Sequence, residues 1–274
     1  MIDLHLHTTA SDGRSTPADL VAEAASAGCH TIAVTDHDTV AGLDRAAAAA
    51  AELGLAFVPG IEVTAVTDTR DIHILGYYID ASDPALAAFL GEQRAHRRER
   101  VVQMGRRLRE IGTPIDIDAL LAAPADQGRS IGRPAVAMAL IAAGHATDVP
   151  DAFDRFLSPG RPAFMPRIGP TPREVIMRIH AAGGIASAAH PGKLKRDDIV
   201  EAMIAEGLDA VEVYHTDHTV ADVVRYQELA DTRGLLVTGG SDYHGPNSGR
   251  GGLGAVGLPT AAFARLAGHV AGRR

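Results

Sequence analysis

Short apolar runs alternate with longer helical patterns along most of this chain. Thr31-Ile32-Ala33-Val34, Val58-Pro59-Gly60-Ile61-Glu62-Val63, Asp71-Ile72-His73-Ile74-Leu75, Ile185 to His190, Ala210 to His215 and Leu235-Leu236-Val237-Thr238 read as strands, as does the extreme start of the chain. Between them lie helices. Residues 17–27 form one in this reading, with Thr16 as N-cap, Pro17 at the first position and Gly28 as the stop. Residues 40–53 form an alanine-rich helix closed by Gly54. After His73 the pattern changes. Residues 84–111 read as one long charged helix, followed by Pro114, a helix over about 115–121, a Gly-rich bend and a helix over 134–143, with no strand-like run among them. Alternation resumes with helices over 172–182, 196–206, 220–233 and near 259–270. The map is a βα-repeating body, residues 1–96 and 167–274, carrying a helical insertion over 97–166 that covers one end.

Repeated βα units favour a parallel sheet with both faces covered, either open or closed into a barrel. The strands number about seven, and nearly every one ends in a metal-ligand type of side chain: His5 and His7, His37, Glu62, His73, His190, His215, and Asp242 with His244. In a barrel all strand ends converge on one rim, whereas an open sheet would spread His5 and Asp242 across its width. The ligand pattern therefore selects the barrel.

Spacing supports a metal site. In His5-Leu6-His7 the imidazoles are at i and i+2, so on a strand they share one face while Leu4 and Leu6 take the other; Asp242 and His244 repeat the spacing. The single cysteine, Cys29, excludes a disulfide framework and cysteine-rich metal sites, so nitrogen and oxygen must do the ligation. A chain of 274 residues, 46% hydrophobic and 22% charged, has core enough for one large domain, and no run approaches a membrane span or a signal segment, which points to the cytoplasm. The net charge of -8 argues against stable binding to DNA, but not against a small phosphorylated substrate. Aromatic residues make up only 4%, leaving few base-stacking platforms among Tyr77, Tyr78, Phe153, Phe156 and Phe164.

His5-Leu6-His7-Thr8 with Ser11-Asp12-Gly13, Thr35-Asp36-His37-Asp38, Gly60-Ile61-Glu62, His73, His190-Pro191 and Gly240-Ser241-Asp242-Tyr243-His244 resemble, in order and spacing, the successive motifs of the polymerase and histidinol phosphatase (PHP) family. The resemblance implies an α/β fold, a distorted (β/α)7 barrel with a small helical insertion domain, and a two- or three-metal phosphoesterase site. One ion would take His5, His7, Glu62 and Asp242; a second would share Glu62 and add His73 and His190; a third would take Asp12, His37 and His244. Manganese or magnesium is commonest in such phosphoesterases, and iron or zinc also suits the donors. The implied chemistry is in-line attack on phosphorus by a hydroxide bridging two cations, metal-bound water reaching a pKa of about 7 instead of ~15.7. The insertion resembles that of the branch containing nucleoside 3′,5′-bisphosphate phosphatases and 5′-to-3′ exoribonucleases.

For the substrate, Ser130-Ile131-Gly132-Arg133-Pro134 places a hydroxyl, a guanidinium and free N–H groups at a helix start, where a phosphate fits; Arg161, and after it Arg167, lie where the insertion rejoins the body. The family often has a histidine after Gly-Arg-Pro, where this chain has Ala135. His215 is expected to contact phosphate or donate a proton to the leaving group. Asp36 and Asp38 flank His37 and are expected to support it, not to ligate. His30, His96, His145, His180, His218 and His269 lack motif context. The expected activity is phosphate release from a small molecule, first a nucleoside 3′,5′-bisphosphate, with short 5′-phosphorylated RNA ends or a non-nucleotide metabolite as alternatives. A metal-holding module without turnover and a C–N hydrolase of similar form are the readings from other classes.

Overall fold

The computed structural model describes residues 1–67, 70–122, 128–246, 248 and 252–272. Among them, seven strands form one sheet in chain order: β1 (Ile2–Leu6), β2 (Thr31–Val34), β3 (Ala56–Thr67), β4 (Arg70–Tyr77), β5 (Ile185–Ala188), β6 (Ala210–His215) and β7 (Leu236–Gly240). The segment after β7 returns to β1, where the His7 amide donates to the Tyr243 carbonyl at 2.9 Å and Leu6 bridges Tyr243, so the sheet nearly closes into a barrel. Gly240 makes the closure sterically possible, since a methyl group there would overlap the backbone of His5.

The sheet is not uniformly parallel, as βα repetition led one to expect. β4 runs antiparallel to both β3 and β5, while the other neighbouring pairs are parallel. The reason is chain length. Thr67 pairs with Arg70, and so short a link cannot make the crossover of a dozen or more residues that a parallel partner needs. The reversal also explains where the site residues fall. On parallel strands they come at the C-terminal ends, whereas on β4 the early residues Asp71 and His73 reach the same rim.

Helices α1 (Pro17–Ser26) and α2 (Leu43–Glu52) link the first strands; α7 (Pro172–Ala181), α8 (Pro191–Leu194), α9 (Asp197–Ala205), α10 (Val220–Arg233) and α11 (Thr260–Ala271) accompany the last four. Their starts follow capping chemistry: Thr16 accepts from the Asp19 amide ahead of Pro17, and Thr171 and Thr219 form reciprocal capping boxes with Glu174 and Asp222. The barrel core joins strand residues such as Leu4, Ile32, Ile61, Ile74 and Val211 to the inner faces of these helices.

Between β4 and α7 lie α3 (Pro84–Glu110), α4 (Ile117–Leu121), α5 (Arg133–Ala142) and α6 (Val149–Ala152), the last running into a π-helical turn at Phe153–Leu157 that the sequence pattern did not disclose. A second apolar cluster belongs to this segment, built on Val101, Met104, Leu108, Val136, Leu140 and Leu157. The long α3 serves both clusters: Leu86 and Leu90 pack in the barrel core, and Val101 to Leu108 pack in the other.

Candidate metal centre

At the rim the rings of His244, His7, His37, His73, His190 and His215 follow one another, with centroids 4.1, 4.7, 4.9, 5.2 and 5.4 Å apart, and His5 lies 5.2 Å from His7 and 5.8 Å from His190. Three carboxylates are set among them. Glu62, buried in the middle of β3, faces five imidazoles: Oε2 is 3.4 Å from His5 Nε2, 3.2 Å from His7 Nε2 and 3.1 Å from His37 Nδ1, while Oε1 is 2.8 Å from His73 Nδ1 and 3.1 Å from His190 Nε2. Asp242 Oδ1 is 3.5 and 3.3 Å from the Nε2 atoms of His5 and His7. Asp12 lies 3.3 Å from His244 Nε2 and 3.8 Å from both His7 Nδ1 and His37 Nε2.

These spacings suit divalent ions. Bonds of about 2.0–2.2 Å at tetrahedral or octahedral angles set neighbouring donor atoms about 3.0–3.5 Å apart. The buried His5 Nε2, His7 Nε2, His37 Nδ1, Glu62 Oε2, His190 Nδ1 and His244 Nε2 have no hydrogen-bond partner, a costly arrangement for polar atoms unless a cation receives them. Four donor sets emerge from the geometry among the described residues: His5, His7 and Asp242; His37, Glu62 and His73; His7, Asp12, His37 and His244; and His5, Glu212 and His215. His190 reaches the cluster through Glu62.

Supporting groups aim the donors. Glu212 Oε1 takes His5 Nδ1 at 2.8 Å and Oε2 takes the His190 amide at 2.6 Å. With Nδ1 held as a donor, the lone pair of His5 sits on Nε2, toward the site. Asp36 binds the Thr8 amide at 2.8 Å, the Thr8 hydroxyl at 2.6 Å and the Ser11 hydroxyl at 2.5 Å, which fixes the loop carrying Asp12. Asp38 accepts from the Thr64 amide and from Arg97. The two side chains thus brace the segments around the site, Asp36 the loop after β1 and Asp38 the junction of β3 with α3. Asp38, His190 and Asp242 all hold a positive φ of 31 to 54°, which costs a non-glycine residue on the order of 1–3 kcal/mol and has to be held by the surrounding contacts.

Charge distribution divides the histidines. Burial opposes ionisation of Glu62, yet His37, His73 and His5 outweigh it and hold the carboxyl well below its usual range. Burial likewise opposes charge on His7, but Asp242 and Glu62 push it up to about 9, while burial drives His190 down to about 4. Below about pH 9 the metal-free His7 thus carries a proton that an incoming cation must displace. Divalent-ion affinity is expected to rise with pH up to that point, with proton release visible as calorimetric heats that differ between buffers of different ionisation enthalpy; buffer-independent heats would contradict this.

The other expected residues are placed as follows. His215 is buried beside the cluster; its Nδ1 accepts from the Asp217 amide at 3.0 Å and its Nε2 is 3.4 Å from Asp242 Oδ2. In the neutral ring the proton therefore sits on Nε2. Ser130 is buried, and its amide donates to the Ala10 carbonyl of the Asp12 loop at 2.9 Å. Arg133 pairs with Asp71 at 3.1 Å and lies over the Phe153 ring. Arg161 is a correction: it sits half-exposed, paired with Asp154 at 2.7 Å, and Arg167 takes the junction position, 3.4 Å from Asp38 and 3.5 Å from Asp71. Arg97 and Arg100, on the long charged helix, are buried in this junction too. Four guanidiniums thus meet two carboxylates, next to His73.

A barrel rim that gathers imidazoles and carboxylates around one central glutamate defines a metal-dependent hydrolase. The PHP domain family matches residues 3–109. A 3′,5′-nucleoside bisphosphate phosphatase of Chromobacterium violaceum is 36% identical over 253 residues, spanning 90% of this chain and 88% of that protein. A 5′-3′ exoribonuclease of Haemophilus influenzae is 35% identical, spanning 89% and 90%. The solved structure of a candidate metal-dependent phosphoesterase from Bifidobacterium adolescentis superposes with a TM-score of 0.87 at 37% identity, covering 96% of this chain and 94% of that one. The chain belongs to the PHP family and is a metal-dependent phosphoesterase, a hydrolase of phosphate esters. Among the described residues no helix is long and apolar enough to cross a membrane.

Proposed function

We propose that this enzyme releases phosphate from a small phosphate monoester, with a nucleoside 3′,5′-bisphosphate as its preferred substrate, and that it works in the cytoplasm. The observation that carries the reading is a second place for an anion. Arg100, Arg133 and Arg167 surround Asp71, two residues before His73, so a guanidinium group with excess positive charge adjoins the metal cluster. A bisphosphate has one phosphate for each. The name of the Chromobacterium relative supports the same choice.

His5, His7, Glu62 and Asp242, then Glu62, His73 and His190, then Asp12, His37 and His244 are the residues that would hold two or three ions, manganese first. Bound divalent ions supply Lewis-acid polarisation of the phosphoryl oxygens and acidify the attacking water. The protein's own groups do the rest. Ser130 and Arg133, brought over the site by the insertion at 97–166, orient the substrate, and His215 faces the leaving oxygen with Nε2–H as donor. The same arginine junction also suits the 5′-phosphate of a short RNA, and the name of the Haemophilus relative favours this as the second reading.

The test is phosphate release by the manganese-loaded protein from adenosine 3′,5′-bisphosphate, histidinol phosphate and a 5′-phosphorylated trinucleotide, with His5→Ala as the blank. The bisphosphate is expected to be preferred, and Arg133→Ala to raise its KM about tenfold, the effect of losing one charged hydrogen bond. Preference for the trinucleotide would select the second reading. Preference for histidinol phosphate would remove the bisphosphate reading.

A further inference from the structure

The arginines lie beside His73; at the Asp242 end of the cluster there is another cation, Lys193, in α8 just after His190. Its ammonium is 2.9 Å from Asp217 Oδ2 and 3.4 Å from Asp242 Oδ2. The backbone that presents it is firmly placed. His190 and Lys195, with φ of 31 and 50°, turn the chain on either side of it. The Gly192 amide donates to His218 Nε2 at 3.1 Å, while His218 Nδ1 is committed to the Val213 carbonyl at 2.9 Å. His218, without motif context in the sequence, is the staple joining this turn to the end of β6.

Asp242 has two sides. Oδ1 faces the Nε2 atoms of His5 and His7, as described, and Oδ2 faces His215 Nε2 and Lys193 Nζ, each at 3.4 Å. An ammonium next to a metal ligand weakens the metal site, because it repels a bound cation and draws charge from the carboxylate. The arrangement becomes favourable once a phosphate ester brings negative charge to the same place. Lys193 keeps about a third of its side-chain surface exposed, at 36%, and Asp217 is more exposed still, at 56%, so the ammonium is free to exchange the aspartate for a ligand.

We propose that Lys193 contacts the substrate, turning from Asp217 to the ester oxygen and neutralising the charge that develops there as the bond to phosphorus breaks. The proposal rests on the phosphoesterase reading. In the step, the oxygen of water forms a bond to phosphorus, the ester P–O bond breaks, the departing alkoxide takes the proton of His215 Nε2, and the proton lost by water restores that histidine; the products are the alcohol and inorganic phosphate. Lys193 supplies charge and no proton.

Charge at the leaving oxygen matters for a poor leaving group and little for a good one. The experiment compares adenosine 3′,5′-bisphosphate, whose leaving group is an alkoxide, with p-nitrophenyl phosphate, on the full manganese-loaded chain. Lys193→Ala is expected to lower kcat/KM for the bisphosphate about 10- to 100-fold and for the aryl ester less than about threefold, with Lys193→Arg regaining part of the loss. Metal content is expected to stay at the wild-type level and the dissociation constant of inorganic phosphate, by calorimetry, to rise. Equal losses on both esters, a fall in metal content, or no loss at all would overturn the proposal while leaving the phosphoesterase reading intact. Wild-type protein that cleaves neither ester would overturn that reading and the proposal with it.

Discussion

Glu62→Gln is expected to reduce turnover by about 10³-fold or more and to strip most of the bound metal, while circular dichroism stays that of the folded protein. The carboxylate is the centre of the site, with five imidazoles within 3.4 Å of its two oxygens. Glutamine keeps the shape and removes the charge, so the cluster loses a carboxylate that reaches donors of all three proposed ions. It also aims an amide N–H pair at ring nitrogens or at a cation. A loss of about 4 kcal/mol of charge stabilisation corresponds to the stated factor. Metal analysis and kcat on the same preparation decide it: full metal stoichiometry with kcat within tenfold of wild type would mean that Glu62 does not bridge.

Glu212→Gln is expected to weaken metal binding by about 10- to 100-fold, the range seen when a partner behind a metal-binding histidine is removed, with much of the activity returning in excess manganese. Glu212 is fully buried, and its two oxygens hold the His5 ring and the His190 amide at once. An amide side chain has a single oxygen for these two donors, so either His5 loses its fixed tautomer or His190 loses its backbone anchor. The charge of Glu212 also helps to raise the basicity of His5, against the burial that opposes it. Unchanged metal affinity would show that His5 is oriented by packing alone.

Glu212 also shows where reading the chain reached its limit. It lies in an apolar strand between Val211 and Val213, and strict alternation puts it on the face opposite His215. A register shift between Glu212 and Tyr214 breaks that alternation, so both residues reach the same rim. The visible signal was a carboxylate in an otherwise apolar strand. His5, His7 and Asp242 were legible because spacing and strand ends place them without knowledge of the tertiary fold. The buried role of Arg97 and Arg100 was not, since a charged stretch of helix looks the same whether it meets water or the carboxylates of Asp38 and Asp71. Lys193 was hidden for a related reason: its position depends on a left-handed turn at His190, which sequence does not announce at a non-glycine residue. The helix start at Thr16 was plain because capping is local chemistry.

The reversed strand β4 has a consequence for how such an enzyme diversifies. Asp71 and His73 lie on one face of it, an i, i+2 pair separated by about 6–7 Å, so the interval between the arginine junction and the metal cluster is set by the pitch of an extended chain. Of the arginines around Asp71, Arg100 and Arg133 belong to helices α3 and α5, whereas every proposed metal ligand belongs to the barrel. Substitutions in the helices can therefore alter which anion is recognised while the chemistry, and its distance from that anion, are inherited unchanged.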